Sequence, residues 1–122
     1  MSITEAAVER WIDAYVKAWR SNDPEEITAL FSEGARYFTA PYREPWNGQA
    51  TILEEWLGRK DAQGDWSFRY EVLGIDGDRA FVRGWTHYET DFDYSNLWVI
   101  RLDGDGRASE FIEWWMAEEG TA

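Results

Sequence analysis

The chain has 122 residues, with 12 Lys+Arg against 24 Asp+Glu for a formal net charge of −12, and it contains no Cys and a single His. This length suits one domain, residues 1–122, that buries about two-thirds of its unfolded surface without a staple. The composition excludes disulfide frameworks, thiolate nucleophiles, Cys-ligated zinc and an imidazole-built metal site, and it argues against nucleic acid or an anionic membrane as partner.

The first segment reads as an amphipathic helix. Val8, Trp11, Ile12, Tyr15 and Trp19 fall on one stripe at period 3.6, and Ser2 with Glu5 has the spacing of a capping box. A second, short helix restarts at Asp23-Pro24. Asp23 is its cap, Pro24 suits the first turn, Glu26 completes a second box, and Ile27, Leu30 and Phe31 form its buried face. Ala35 to Thr39 reads as a short strand, and Pro41 and Pro45 force an irregular loop up to Gly48. A third helix from about Gln49 carries Ile52, Leu53, Trp56 and Leu57 and ends near Gly58, with a turn-rich link at 61–64.

From Trp66 the period changes to two. Trp66, Phe68, Tyr70 and Val72 alternate with polar residues, and Asp76-Gly77 signals a hairpin with a type I′ turn. The return strand covers Arg79 to about Glu89. After a turn near 90–93, a further strand runs from Tyr94 to Leu102. Asp103-Gly104-Asp105-Gly106 makes a tight turn into a last strand, Arg107 to Met116. The order is ααβαββββ, an α+β architecture with three helices on one face of a curved, mainly antiparallel sheet. No run approaches the roughly 18–20 apolar residues of a membrane span. The first residues show neither the basic flank nor the apolar stretch of a secretory signal, so the expectation is a cytoplasmic protein.

The aromatic content, nine Trp, six Tyr and six Phe, is high for a chain this short. Trp concentrates where ligands stack or chains meet. Tyr15-Val16-Lys17-Ala18-Trp19 before Asn22-Asp23, then Ile27-Thr28-Ala29-Leu30-Phe31, Ala35, Gly48, Ile52 and Arg101 to Arg107, resembles the nuclear transport factor two-like superfamily. That group includes SnoaL-like polyketide cyclases, ketosteroid isomerases, scytalone dehydratase and limonene epoxide hydrolase. Phe111-Ile112-Glu113-Trp114-Trp115-Met116 looks like uncharacterised bacterial members. The resemblance implies a cone-shaped, cystatin-like roll, a pocket between helices and concave sheet, and a homodimer through the outer sheet face. It places Tyr15 where the steroid isomerases keep an oxyanion-binding tyrosine. Their general-base Asp falls at Thr39 or Ala40, and their second oxyanion acid at Trp98, so that particular chemistry is not expected here. The fold itself hosts many functions.

Strand alternation places Phe81, Arg83, Trp85 and His87, then Tyr94, Asn96, Trp98 and Ile100, then Phe111, Glu113 and Trp115 on the pocket face. Val82, Tyr88, Leu97, Val99, Ile112 and Trp114 would face outward, and a one-residue bulge would swap the sets. On this assignment His87 and Glu113 pair as general acid and base with Tyr15 as donor, and Arg83 and Asn96 hold an oxyanion. Trp19, Trp56, Trp85, Trp98, Trp115 and Phe111 line the cavity. Each has a structural alternative. Arg83 and Glu113 form a buried ion pair, His87 is a solvated edge residue, and Tyr15 and the Trp side chains fill the core. The expected function is a small-molecule pocket protein acting by proton transfer on a hydrophobic or aromatic carbonyl compound, with no cofactor and no metal. The alternative is a non-catalytic ligand-binding or dimerisation module.

Overall fold

In a computed structural model, described for residues 2–59, 66–89 and 93–118, the elements follow the order α1 (Glu5–Ser21), α2 (Pro24–Ala29), β1 (Phe31–Phe38), β2 (Trp46–Asn47), α3 (Gln49–Gly58), β3 (Trp66–Asp76), β4 (Arg79–Tyr88), β5 (Tyr94–Leu102) and β6 (Ala108–Ala117). The expected turn at 61–64, and residues 90–92 of the expected turn near 90–93, lie outside the described residues.

Helix α1 buries the expected stripe: Val8, Trp11, Ile12 and Tyr15 are buried, joined by Ala18. Its cap is Thr4, whose hydroxyl accepts from the Ala7 amide, instead of the Ser2–Glu5 box. Asn22 ends the helix in the left-handed region, φ 54°, which Asn tolerates because its short amide can bond locally. Asp23 caps α2 through the Glu25 amide. Glu26 does not close the second box. It accepts from Ser21 and pairs with Lys17 at 3.0 Å, and these contacts lower its pKa. Phe31 is the first residue of β1, not part of α2, because Leu30 accepts the Ala108 amide and draws the chain into the sheet at once.

The sheet order is β2-β1-β6-β5-β4-β3, with β1 parallel to β6 and every other pair antiparallel. The two-residue β2 lies inside the Pro-bounded loop. The β3–β4 turn sits at Gly77 and Asp78, and only Gly77 has positive φ (61°), so it is not the type I′ turn that Asp-Gly suggests.

One irregularity decides which side chains meet. Near the turn, Ile75 pairs with Ala80 and Gly74 with Phe81, but Val72 pairs with Val82, leaving Leu73 as an extra residue. Beyond this bulge the aromatic row of β3 faces the small residues of β4: Phe68 opposes Thr86, Tyr70 opposes Gly84, and Val72 opposes Val82. Gly84 is required there. A Cβ would stand 2.6 Å from the Phe68 ring, which instead lies over the bare backbone and stacks on Trp98 at 5.0 Å. The helices cover this inner face. Trp11 Nε1 donates to the Leu30 carbonyl at 2.9 Å and Gln49 Nε2 to that of Phe31 at 2.8 Å, tying α1 and α3 to the start of β1.

Candidate functional site

Register sorts the expected residues into two groups on opposite faces. Val82, Trp98 and Glu113 are cross-strand neighbours, as are Gly84, Asn96 and Trp115, so these six share the inner face. Arg83 pairs with Leu97 and Trp114 lies beside them; Trp85 pairs with Ser95 beside Met116; these share the outer face.

Three expectations are corrected here. Arg83, Trp85 and His87 do not stand on the inner face. Without the bulge, the hairpin register would set Val72 opposite Arg83 and Phe68 opposite His87; Leu73 shifts every pair beyond it by one residue. His87 is exposed, and its Nδ1 stands 2.6 Å from Asp93 Oδ1. That hydrogen bond, then the Asp93 charge, raises its pKa. It makes no pair with Glu113 across the sheet. Arg83 is not the ion partner of Glu113 either: its Nη2 donates to Ser95 Oγ at 3.2 Å and its guanidinium lies 4.6 Å from the Trp85 ring, with Arg69 at 4.1 Å from the same ring. Val82, expected outside, is fully buried on the inner face.

The inner face gathers a different polar chain. Tyr37, on β1 beside Phe111 of β6, donates its hydroxyl proton to Glu113 Oε1 at 2.5 Å. With that proton committed, the 3.1 Å contact between the Tyr15 and Tyr37 hydroxyls has Tyr15 donating. Trp98 Nε1 donates to Glu113 Oε2 at 3.3 Å. The half-buried carboxylate thus takes a hydrogen bond on each oxygen, a pattern that orients it. Tyr37 sits 3 % exposed, and its pKa is raised well above the ordinary value, first by burial and then by the Glu113 charge. It is a fixed donor, not a base. Two strands away, Thr86 Oγ1 donates to Asn96 Oδ1 at 2.7 Å, which fixes the Asn96 amide and aims its Nδ2 away from Thr86.

Aromatic rings enclose this chain. Tyr15 lies within 4.8–6.0 Å of Trp11, Trp19, Trp56, Trp98 and Phe111. Trp98 (1 % exposed) and Phe111 (0 %) are core, while Trp115 is 46 % exposed at the end of the sheet. Trp56 donates to Asn22 Oδ1 at 3.0 Å, so the left-handed cap of α1 also anchors α3. Trp19 stacks on Trp66 at 3.7 Å, and the Arg20 guanidinium lies 4.3 Å from the Trp66 ring. Trp46 of β2 stacks on Tyr37 at 4.5 Å, closing the side of the chain toward the loop. Tyr37 and Thr86 are absent from the sequence-based set. The alternation Ala35, Tyr37, Thr39 on an expected strand was the available signal, and the parallel neighbour that gives Tyr37 its partner was not readable locally. Among the described residues no group of three or more His, Cys, Asp or Glu side chains could hold a metal ion, and no helix is long and apolar enough to cross a membrane.

Comparison with known proteins agrees with this architecture. The family profile described as SnoaL-like domain matches residues 12–121. A putative ketosteroid isomerase from Kribbella flavida superposes with a TM-score of 0.70 at 20% identity, covering 96% of this chain and 88% of that one. An NTF-2 like protein of unknown function from Burkholderia xenovorans gives 0.73 at 11% identity over 93% and 85%. A cystatin-like fold protein from the same organism gives 0.65 at 20% identity over 92% and 91%. These likenesses establish the fold. No curated protein matches the chain.

Proposed function

The chain belongs to the SnoaL-like domain family, and from that premise we propose that it is a small-molecule pocket protein that moves a proton on a hydrophobic or aromatic carbonyl compound, as an isomerase or lyase does, using side chains alone. The observation that carries this reading is the hydrogen-bonded chain Tyr15–Tyr37–Glu113–Trp98 inside an aromatic enclosure. Glu113 is the base: its carboxylate takes the proton from the carbon next to the carbonyl. The electron pair left behind moves onto the carbonyl oxygen, where the Asn96 Nδ2 group donates a hydrogen bond to the enolate. The protonated Glu113 then returns the proton to carbon. Tyr37 and Trp98 hold the carboxylate in place, and Tyr15 holds Tyr37. The putative ketosteroid isomerase among the structural neighbours is consistent with this class, although the base here stands on β6.

A second reading has its own support. Tyr15 is 5 % exposed and touches five other rings, as expected of a core that fills its own cavity. On that reading the domain binds or dimerises without catalysis. The outer sheet face, with Leu97, Trp114 and Met116 exposed at 39, 42 and 76 %, supports a homodimer on either reading.

Exchange of the α-protons of 2-tetralone in deuterated water, followed by NMR, separates the two. The catalytic reading expects accelerated exchange that falls at least about 100-fold in Glu113→Gln with the fold retained. Exchange that is no faster than buffer, or that is unchanged in Glu113→Gln, removes it in favour of the non-catalytic module.

A further inference from the structure

The outer face of the sheet carries two adjacent rows of side chains. Arg69, Trp85, Ser95 and Met116 are cross-strand neighbours from β3 to β6, and Glu71, Arg83, Leu97 and Trp114 form the next row. Both rows are open to solvent: Arg69 and Glu71 are exposed, as are Leu97, Trp114 and Met116. Their charges do not satisfy one another. Glu71 has Arg69 two residues along its own strand and Arg83 directly across, yet among the described residues it forms an ion pair with neither. Both guanidiniums lie against Trp85 instead, at 4.1 and 4.6 Å from its ring, and Arg83 donates to Ser95. Two other arginines of this face are matched within the chain, Arg36 with Glu110 and Arg101 with Asp78.

We infer that a second copy of the chain covers this face with its two rows laid on these in exchanged order, and that Arg69 against the partner's Glu71 sets the register. The inference rests on the homodimer reading above and adds the contact that selects the partner. Charge favours a copy meeting this patch and not another. Each chain carries −12, so two copies repel wherever carboxylates dominate, and these rows hold two guanidiniums against one carboxylate. Symmetry supplies the register. In a two-fold contact the same patch meets itself, so residues that touch do so reciprocally. Sheets packed face to face keep their strands within about 30° of one another. A two-fold axis running across the strands, midway between the rows, lays each row on the other. Arg69 then meets the partner's Glu71, Glu71 meets the partner's Arg69, and the Met116 thioether meets the ring of the partner's Trp114. The long side chains of Arg69 and Glu71 take up the offset that sheet twist leaves at the edge strand β3. An axis through either row would instead set Arg69 on the partner's Arg69, or Glu71 on the partner's Glu71, and like charges in an interface are strongly unfavourable.

The test is sedimentation equilibrium of the wild type, Arg69→Glu, Glu71→Arg and the double variant carrying both changes, with a melting curve for each protein. Both positions are exposed, so all four proteins are expected to keep the fold. The wild type sediments as a dimer. Each single variant sets like charges against each other twice in the interface and raises the dimer Kd at least about tenfold. The double variant restores opposite charges in swapped order and returns to within about threefold of the wild type. An equimolar mixture of the two single variants forms a mixed dimer in native mass spectrometry, because each finds its opposite on the other. A Kd indifferent to the single variants, or a double variant as weak as they are, overturns the register and leaves the homodimer reading standing on other contacts. A wild type still monomeric at about 100 µM overturns both. The pocket reading is decided separately, by α-proton exchange.

Discussion

The two faces of one sheet use the same residue types in opposite ways. On the inner face, Glu113 is held by Tyr37 and Trp98, Asn96 by Thr86, and the rings around them are buried. On the outer face, Arg36 pairs with Glu110 at 2.6 Å, Arg69 and Arg83 flank Trp85, and Trp114 and Met116 stand open to solvent. A polar group in the first setting has a fixed partner and a low dielectric around it, so its chemistry is sharpened. In the second it is screened and adds little to stability. Residue identity alone does not make a site; the side of the sheet decides.

The contrast is broken most severely from the inside. Trp98→Ala removes a fully packed indole that stacks on Phe68 and holds Glu113, and is expected to cost about 3–5 kcal/mol in a denaturant melt. A loss below about 1 kcal/mol would mean that the inner face is not the core it looks to be. An outer-face change is expected to read differently. Leu97→Glu, at a position 39 % exposed, should shift monomer stability by no more than about 0.5 kcal/mol, and should convert the homodimer proposed above to a monomer in native mass spectrometry. Unchanged mass would place any self-association elsewhere.

The smallest effect belongs to His87. Asp93 raises its pKa in the folded chain above the ordinary 6.5. The sign is that of a base gaining a partner: the stabilisation is fully present below about pH 6.5 and is lost as pH rises through the higher folded value. The melting temperature of the wild type minus that of His87→Gln should therefore be slightly positive at pH 5.5 and vanish at pH 9. A difference that grows with pH would contradict the pairing with Asp93.

Most of the fold was legible because its signals are local. The stripe from Val8 to Trp19, the Asp23-Pro24 restart and the period-two run from Trp66 each reflect a backbone geometry that neighbouring residues dictate. The site was only half legible. Glu113, Asn96, Trp98 and Tyr15 stand on the expected face because β5 and β6 run regularly over those positions. Arg83, Trp85 and His87 stand on the wrong one because Leu73 is an extra residue that no local rule announces: leucine fits a strand as readily as a bulge. Tyr37 escaped for a different reason. Its role depends on β1 lying parallel to β6, a pairing between residues 74 apart in sequence (Tyr37 with Phe111) that periodicity cannot express. Small inner residues on β4, Ala80, Val82, Gly84 and Thr86, were the one hint that the bulky set belonged outside.

The Trp19–Trp66 stack has an optical consequence. Two indoles 3.7 Å apart and tilted by only 18° share their electronic excitation, so neither absorbs as an isolated chromophore. The pair joins α1 to the first residue of β3, and a coupled circular dichroism band from it would report that junction without any label. Loss of the band before the backbone signal, during heating, would show the helix lifting from the sheet edge ahead of global unfolding.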